Sequence, residues 1–254
     1  MNCSNHRRIR EPFLFDHLPR DYATSIMEHH SNTSTQTITT PELLYHVTLT
    51  VIDYHTDESG ATRSTYPLGS FGSLKVAKSF AETSLEGLGY QKDDFKEFSL
   101  WPQMHEPSTQ GDGSVVYARA PAGQVFVVAI DTTLNTEQLP LATKSGGLIL
   151  PDGSSVLHYV MQTTIDYNDD RTGSRQRTDI EGVYAHRGDA QAAARKALDW
   201  HAFTDYHVRG DTDTSGAWPY GEDTVVHAVG ENGINCTVAV KTVPGAHKVH
   251  RKRG

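Results

Sequence analysis

The 254-residue chain carries a formal net charge of −8, with 37% hydrophobic and 21% charged residues, the composition of a globular protein slightly poor in apolar side chains. The acidic balance gives no general attraction for phosphate backbones or anionic lipid, and no apolar run approaches the roughly eighteen residues that a membrane-spanning helix needs. Two cysteines, Cys3 and Cys236, provide no disulfide framework and point to a reducing compartment.

The first 41 residues are polar, without sustained periodicity, and are expected to be mostly disordered. Their opening, MNCSNHRRIREPFLF, is basic but has no apolar h-region, so a secretory leader is not expected. The sequons at Asn2, Asn32 and Asn235 are accordingly read as chance. From Leu44 the pattern changes. Leu44–Tyr54 is rich in β-branched and aromatic residues, a strand signal. A polar turn with Gly60 follows, then a return strand over Arg63–Leu68. Leu74, Ala77, Phe80, Ala81, Leu85 and Leu88 fall on one helical face, which Gly87 and Gly89 end. Lys96–Trp101 reads as a short strand, and VVYARAPAGQVFVVAI from Val115 as a closing hairpin turning at Gly123.

The same series then recurs. Leu157–Leu198 aligns with Leu44–Leu85 without a gap at a constant shift of 113, and thirteen of 42 positions are identical. Val225–Thr242 aligns with Val115–Thr132 at a shift of 110, with seven of 18 identical. The pairs Asp53/Asp166, Tyr54/Tyr167, Gly60/Gly173, Gly69/Gly182 and Ala77/Ala190 are among them. Internal similarity of this kind marks a duplicated structural unit. The helix of the second copy is expected over AQAAARKALDW with Asp189 as its cap, a short strand over Asp205–Arg209, and the last hairpin at Gly233. The expected fold is therefore α+β: a tandem duplication of a ββαβββ unit, giving two antiparallel sheets, each with one helix, in a pseudo-twofold arrangement. The repeats are assigned to 42–132 and 156–242, joined by a Pro/Gly-rich linker over 133–155 and followed by a basic tail over 243–254.

Strand alternation assigns candidate faces. Phe126, Val128 and Ile130, with Ile52 and Ile165, are expected to meet the helix. The opposite face of the first repeat would then hold Tyr45, Val47, Leu49, Val51, Tyr117, Arg119, Val125 and Val127. This surface is too apolar for water and in need of a cover. The matching positions of the second repeat are His158, Val160, Gln162, Thr164, His227, Val229, Asn235 and Thr237. Two such faces set against each other would enclose a pocket with an aromatic wall and a polar wall. Its ligand-binding groups would be Tyr45, Tyr117, Arg119, Gln162, Asn235 and Thr237, and its acid–base pair His158 and His227. Asp53 and Asp166 read more simply as turn-closing carboxylates.

Known chemical motifs do not recur. Asp166–Asp170 matches the opening of an EF-hand loop, but Arg171 and Arg177 occupy its glycine and glutamate positions. There is no HExxH, CxxC, P-loop, dinucleotide fingerprint or nucleophile elbow. No cofactor or metal is expected, and His29-His30 lies in the polar tail. The residues favour a soluble, intracellular protein that binds a partner or a small apolar ligand through its sheet faces. A cofactor-free acid–base enzyme with a pocket between the repeats is the alternative. The partner is expected to be a small molecule or another protein, with self-association a further option. Nucleic acid and membrane are not expected partners. The cytoplasm is the expected location, and the tail HKVHRKRG leaves a nuclear address open.

Overall fold

The computed structural model describes residues 39–100, 113–142, 146–210 and 218–244. The first repeat comprises β1 (Leu43–Asp53), β2 (Arg63–Phe71), α1 (Leu74–Gly87), β3 (Glu97–Leu100), β4 (Ser114–Arg119) and β5 (Gln124–Leu134), with sheet order β2-β1-β5-β4-β3. The second comprises β6 (His158–Asp166), β7 (Gln176–Tyr184), α2 (Arg187–Ala194), β8 (Asp205–Val208), β9 (Thr224–Val229) and β10 (Ile234–Lys241), with order β7-β6-β10-β9-β8. All strand pairs are antiparallel. The chain is a tandem duplicate of one α+β unit. Even the irregularities repeat, since the register shifts by one residue between β1 and β2 at Val47/Thr48, leaving Leu68 extra, and between β6 and β7 at Val160/Met161, leaving Glu181 extra. The residues before Thr39, the segment over 101–112 and the basic tail from residue 245 on lie outside the described residues. No helix among the described residues is long and apolar enough to cross a membrane.

Three of the identical positions, Asp53/Asp166, Tyr54/Tyr167 and Gly60/Gly173, form one hairpin device. Asp53 Oδ1 accepts the backbone N–H groups of His55 and Thr56, at 3.1 and 3.3 Å. Asp166 Oδ1 does the same for Asn168 and Asp169, at 2.9 and 3.3 Å, so both aspartates close turns. The next residue lays its ring over the turn glycine. A Cβ on Gly60 would stand 2.5 Å from the Tyr54 ring, and one on Gly173 would stand 3.0 Å from the Tyr167 ring. Both glycines have positive φ, +75° and +76°. Gly60→Ala is therefore expected to lower stability by about 1–2 kcal/mol from the left-handed backbone alone, before the tyrosine is displaced. Urea denaturation would read this, and a variant as stable as the parent would refute it.

The register revises the sequence-based faces. Val47, Leu49 and Val51 pair with Ile130, Val128 and Phe126, so these six share one face. That face packs on Ala77, Ala81 and Leu85 of α1. Tyr45 packs there too, whereas Leu74 is exposed. The helix-free face instead holds Leu44, His46, Thr48, Thr50 and Ile52, beside Val125 and Val127. The second repeat follows suit: Val160, Val238 and Val240 pack on Ala190 and Ala194 of α2, and His158, Gln162 and Thr164 lie on that same side. Tyr159, Met161, Thr163 and Ile165 point the other way with Asn235 and Thr237. Alternation had assigned β4, β5, β9 and β10 correctly but set β1 and β6 one residue out of phase. A one-residue slip inverts a whole strand.

Two other elements differ from expectation. α2 starts after His186 and ends at Ala194, with Asp189 inside its first turn. Shorter-range bonds from Lys196 to Ala193 and from Ala197 to Ala194 then tighten the chain out of the helix. The segment after Leu134 is packed rather than loose. Leu139, Leu148 and Leu150 join Leu44, Leu157, Tyr159, Met161, Ile180 and Val183 in one apolar cluster. The two helix-free faces meet there, with α1 and α2 on the outer sides.

Candidate functional site

The two faces are joined by bonds that the repeat alignment pairs across a pseudo-twofold axis. Arg63 donates to the Ser174 carbonyl, and the equivalent Gln176 donates to the Ala61 carbonyl at 2.5 Å. His46 and Tyr159, also equivalent, meet edge to face with ring centroids 6.1 Å apart. Asp131 of β5 accepts the Ile180 N–H at 2.7 Å. Its counterpart Lys241 of β10 donates from Nζ to the Thr65 carbonyl at 3.0 Å. Each of these last two bonds satisfies backbone on an edge strand, β7 or β2, that would otherwise be open to pairing.

A buried polar chain runs along the axis. Ser70 Oγ donates to Tyr159 OH at 3.0 Å, His46 Nδ1 is 2.7 Å from Ser70 Oγ, and His46 Nε2 is 2.8 Å from Thr133 Oγ1. With the Ser70 proton spent on Tyr159, His46 donates from Nδ1 and accepts at Nε2 from Thr133. Burial lowers the His46 imidazole to about 3 and raises the Tyr159 phenol to about 12, so both are neutral at physiological pH. The Ser70–His46 contact has the length of a nucleophile–base pair. Both side chains are buried, however, and neither borders the cleft between the repeats, so the contact reads as structural.

Beside this chain the faces separate into a cleft of about 310 Å³. Its walls are β2 of the first repeat, with Arg63 and Thr65, and β6, β7 and β10 of the second, with Thr163, Thr178, Thr237 and Lys241. Met161 and Ala239 form its apolar floor, and Glu222 and Asp223 stand exposed at the mouth. Thr163 and Thr178 share a hydroxyl bond of 2.9 Å, which leaves one O–H of the pair free to donate elsewhere. Burial pulls the Lys241 ammonium below the ordinary lysine value, opposed by the charge of Asp223. Among the described residues, no three His, Cys, Asp or Glu side chains converge as metal ligands would.

Of the residues singled out from the sequence, only Thr237 lines this cleft. Tyr45 packs on the α1 side. Gln162 lies on the α2 side, 3.4 Å from Thr164 Oγ1. Tyr117 and Arg119 are on the helix-free face, where Tyr117 OH accepts from Arg119 at 3.0 and 3.2 Å and Arg119 approaches Glu97 at 3.8 Å. Asn235 shares that side in its own repeat without joining the cleft lining. His158 and His227 do not meet. His158 shares the face of Val160, on the α2 side. His227 pairs with Thr237 on the other face, five residues away in register along β6, a run of roughly 17 Å at strand spacing. His227 is stacked on Tyr220, with ring centroids 3.9 Å and planes 6° apart. Burial, with His207 adding to it, lowers its imidazole. This geometry removes the proposed acid–base pair.

The residues that do form the cleft had one legible signal. Aligned strand positions changed charge, Asp131 to Lys241, on a face otherwise shielded from water. A comparison of the chain with protein-family models, curated proteins and solved structures finds no match.

Proposed function

We propose that the protein is a non-catalytic, intracellular binding protein whose small-molecule ligand enters the cleft between the repeats. The supporting observation is a cavity of about 310 Å³ lined by side chains of both copies, at the lower end of the size range of ligand pockets. The lining is rich in threonine hydroxyls and carries two cations and two carboxylates, which suits a polar ligand better than an apolar one. Around Leu44, Tyr159, Met161, Ile180 and Val183 the helix-free faces are occupied, because the two repeats and the linker cover one another there. Divergence between the copies supports the same reading. The helix-free side of β5 carries Val125 and Val127, while β10 carries Asn235 and Thr237 at those places, and Thr237 borders the cleft.

Met161 on the cleft floor provides the test. It is one of four methionines, so its methyl carbon can be followed by NMR in protein labelled at methionine. Small polar fragments are expected to shift that resonance in the parent protein. Thr237→Phe, which fills the cleft, is expected to abolish the shifts without unfolding the chain. Fragments that bind the Thr237→Phe variant as well as the parent would sink the reading.

A further inference from the structure

Resting on that reading, we propose that the cleft selects a small monocarboxylate, whose carboxylate pairs with Lys241 and whose polar tail faces Glu222 and Asp223 at the mouth. Lys241 is a largely buried ammonium. Its contacts among the described residues are one hydrogen bond to the Thr65 carbonyl at 3.0 Å and the face of the Tyr66 ring, 5.7 Å from Nζ to its centroid. None of the ion pairs of the described residues includes it. An ammonium has three donors, so two remain on a group that borders the cavity. Taking such a charge out of water is costly, Asp223 acts on it only through space and not as an ion pair, and the repeat alignment shows that the fold does not require it. Asp131, at the equivalent place, makes the corresponding bond across the axis with the opposite charge.

The neighbouring groups extend the donor surface. Arg63 spends Nε and Nη2 on the carbonyls of Gly60 and Ser174, leaving Nη1. The Thr163–Thr178 pair retains one hydroxyl proton. These groups place unspent donors of Lys241, Arg63 and a threonine hydroxyl in the cleft lining, which matches an oxyanion. Two features select carboxylate over phosphate. No residue of α1 or α2 borders the cleft, so the helix N-terminus that commonly receives phosphate is absent from this lining. The two mouth carboxylates offset the charges of Arg63 and Lys241, and a dianion would meet repulsion that a monoanion with a hydroxyl or amino tail does not.

The probes are L-lactate, its neutral amide lactamide, and inorganic phosphate, each titrated into the full chain with the Met161 methyl as reporter. L-lactate is expected to shift the resonance saturably, with lactamide and phosphate inert. Lys241→Gln, which keeps a donor for the Thr65 carbonyl, is expected to weaken lactate by about tenfold or more, and Lys241→Arg to bind within a few-fold of the parent. Stronger shifts from phosphate, equal shifts from lactamide, or undiminished lactate binding in Lys241→Gln would overturn the carboxylate assignment. Shifts from lactamide alone would leave the cleft as a binding site and remove only its anion preference. Silence from all three would overturn this proposal, while the fragment experiment above would still decide the cleft itself.

Discussion

Between pH 7 and pH 4 the protein is expected to lose about 3 kcal/mol of stability through His46 alone, since each unit of pKa difference is worth about 1.4 kcal/mol. The imidazole titrates at 6.5 when unfolded and at about 3 in the fold, because burial excludes its charged form. Between those values the unfolded chain binds one more proton than the folded chain, so stability falls as the pH falls. Above 6.5 the contribution is fully present. Asp57, held down to about 2 by Ser59 and Thr62, and Asp170, held low by Ser174 and Thr172, act in the same sense but only at more acid pH. His227 adds a smaller slope of the same sign. Glu181, raised by burial, opposes it. His46→Gln keeps a hydrogen-bonding side chain and removes the titration, so its urea midpoint should change much less with pH over this range. A parent midpoint that is flat from pH 6.5 to 4, or an equal slope in the variant, would show that His46 is not held neutral at the axis.

The duplication was legible because the conserved positions perform backbone tasks that any copy of the unit must repeat. Asp53 and Asp166 close the same turn, and Gly60 and Gly173 lie beneath the following tyrosine. Ala77 and Ala190 are fully buried where a helix crosses its sheet, and a larger side chain would push it away. Gly69 and Gly182 sit beside the paired bulges. The faces were only half legible. Alternation assigns sides within one strand, whereas the phase between β1 and β5 is a property of their pairing, and Val51 opposite Phe126 could not be told from Ile52 opposite Phe126. That single slip moved Tyr45, His158 and Gln162 to the wrong side. It also hid His46, which the sequence offers only as one histidine among fourteen. The cleft was further out of reach, because Thr65 and Lys241 are brought together by the packing of one sheet on the other.

Leu139→Ala is expected to destabilise the whole chain by about 2–5 kcal/mol, the range for removing a buried leucine side chain. Its position in the segment between the repeats would suggest a neutral change. The difference lies in packing. Leu139 is 1% exposed and belongs to the cluster that contains Leu44 of β1 and Tyr159, Met161, Ile180 and Val183 of the second repeat. Asn135 holds it there: the side-chain amide donates to the Pro41 and Leu139 carbonyls at 2.9 and 3.0 Å and accepts the Leu139 N–H at 2.9 Å. The connection is thus a third contributor to the core between the sheets. Neither helix-free face is covered without it and the opposite repeat, so the two copies should unfold together in one transition. Leu134, 61% exposed at the end of β5, is the control, and Leu134→Ala should stay within about 0.5 kcal/mol of the parent. Urea denaturation followed by tyrosine fluorescence and by circular dichroism would read both variants. A Leu139→Ala midpoint equal to that of Leu134→Ala would show that the linker is a passive tether. Two separated transitions in the parent would show that each repeat is stable with its helix-free face uncovered, and the cleft between them would then lose its rigid frame.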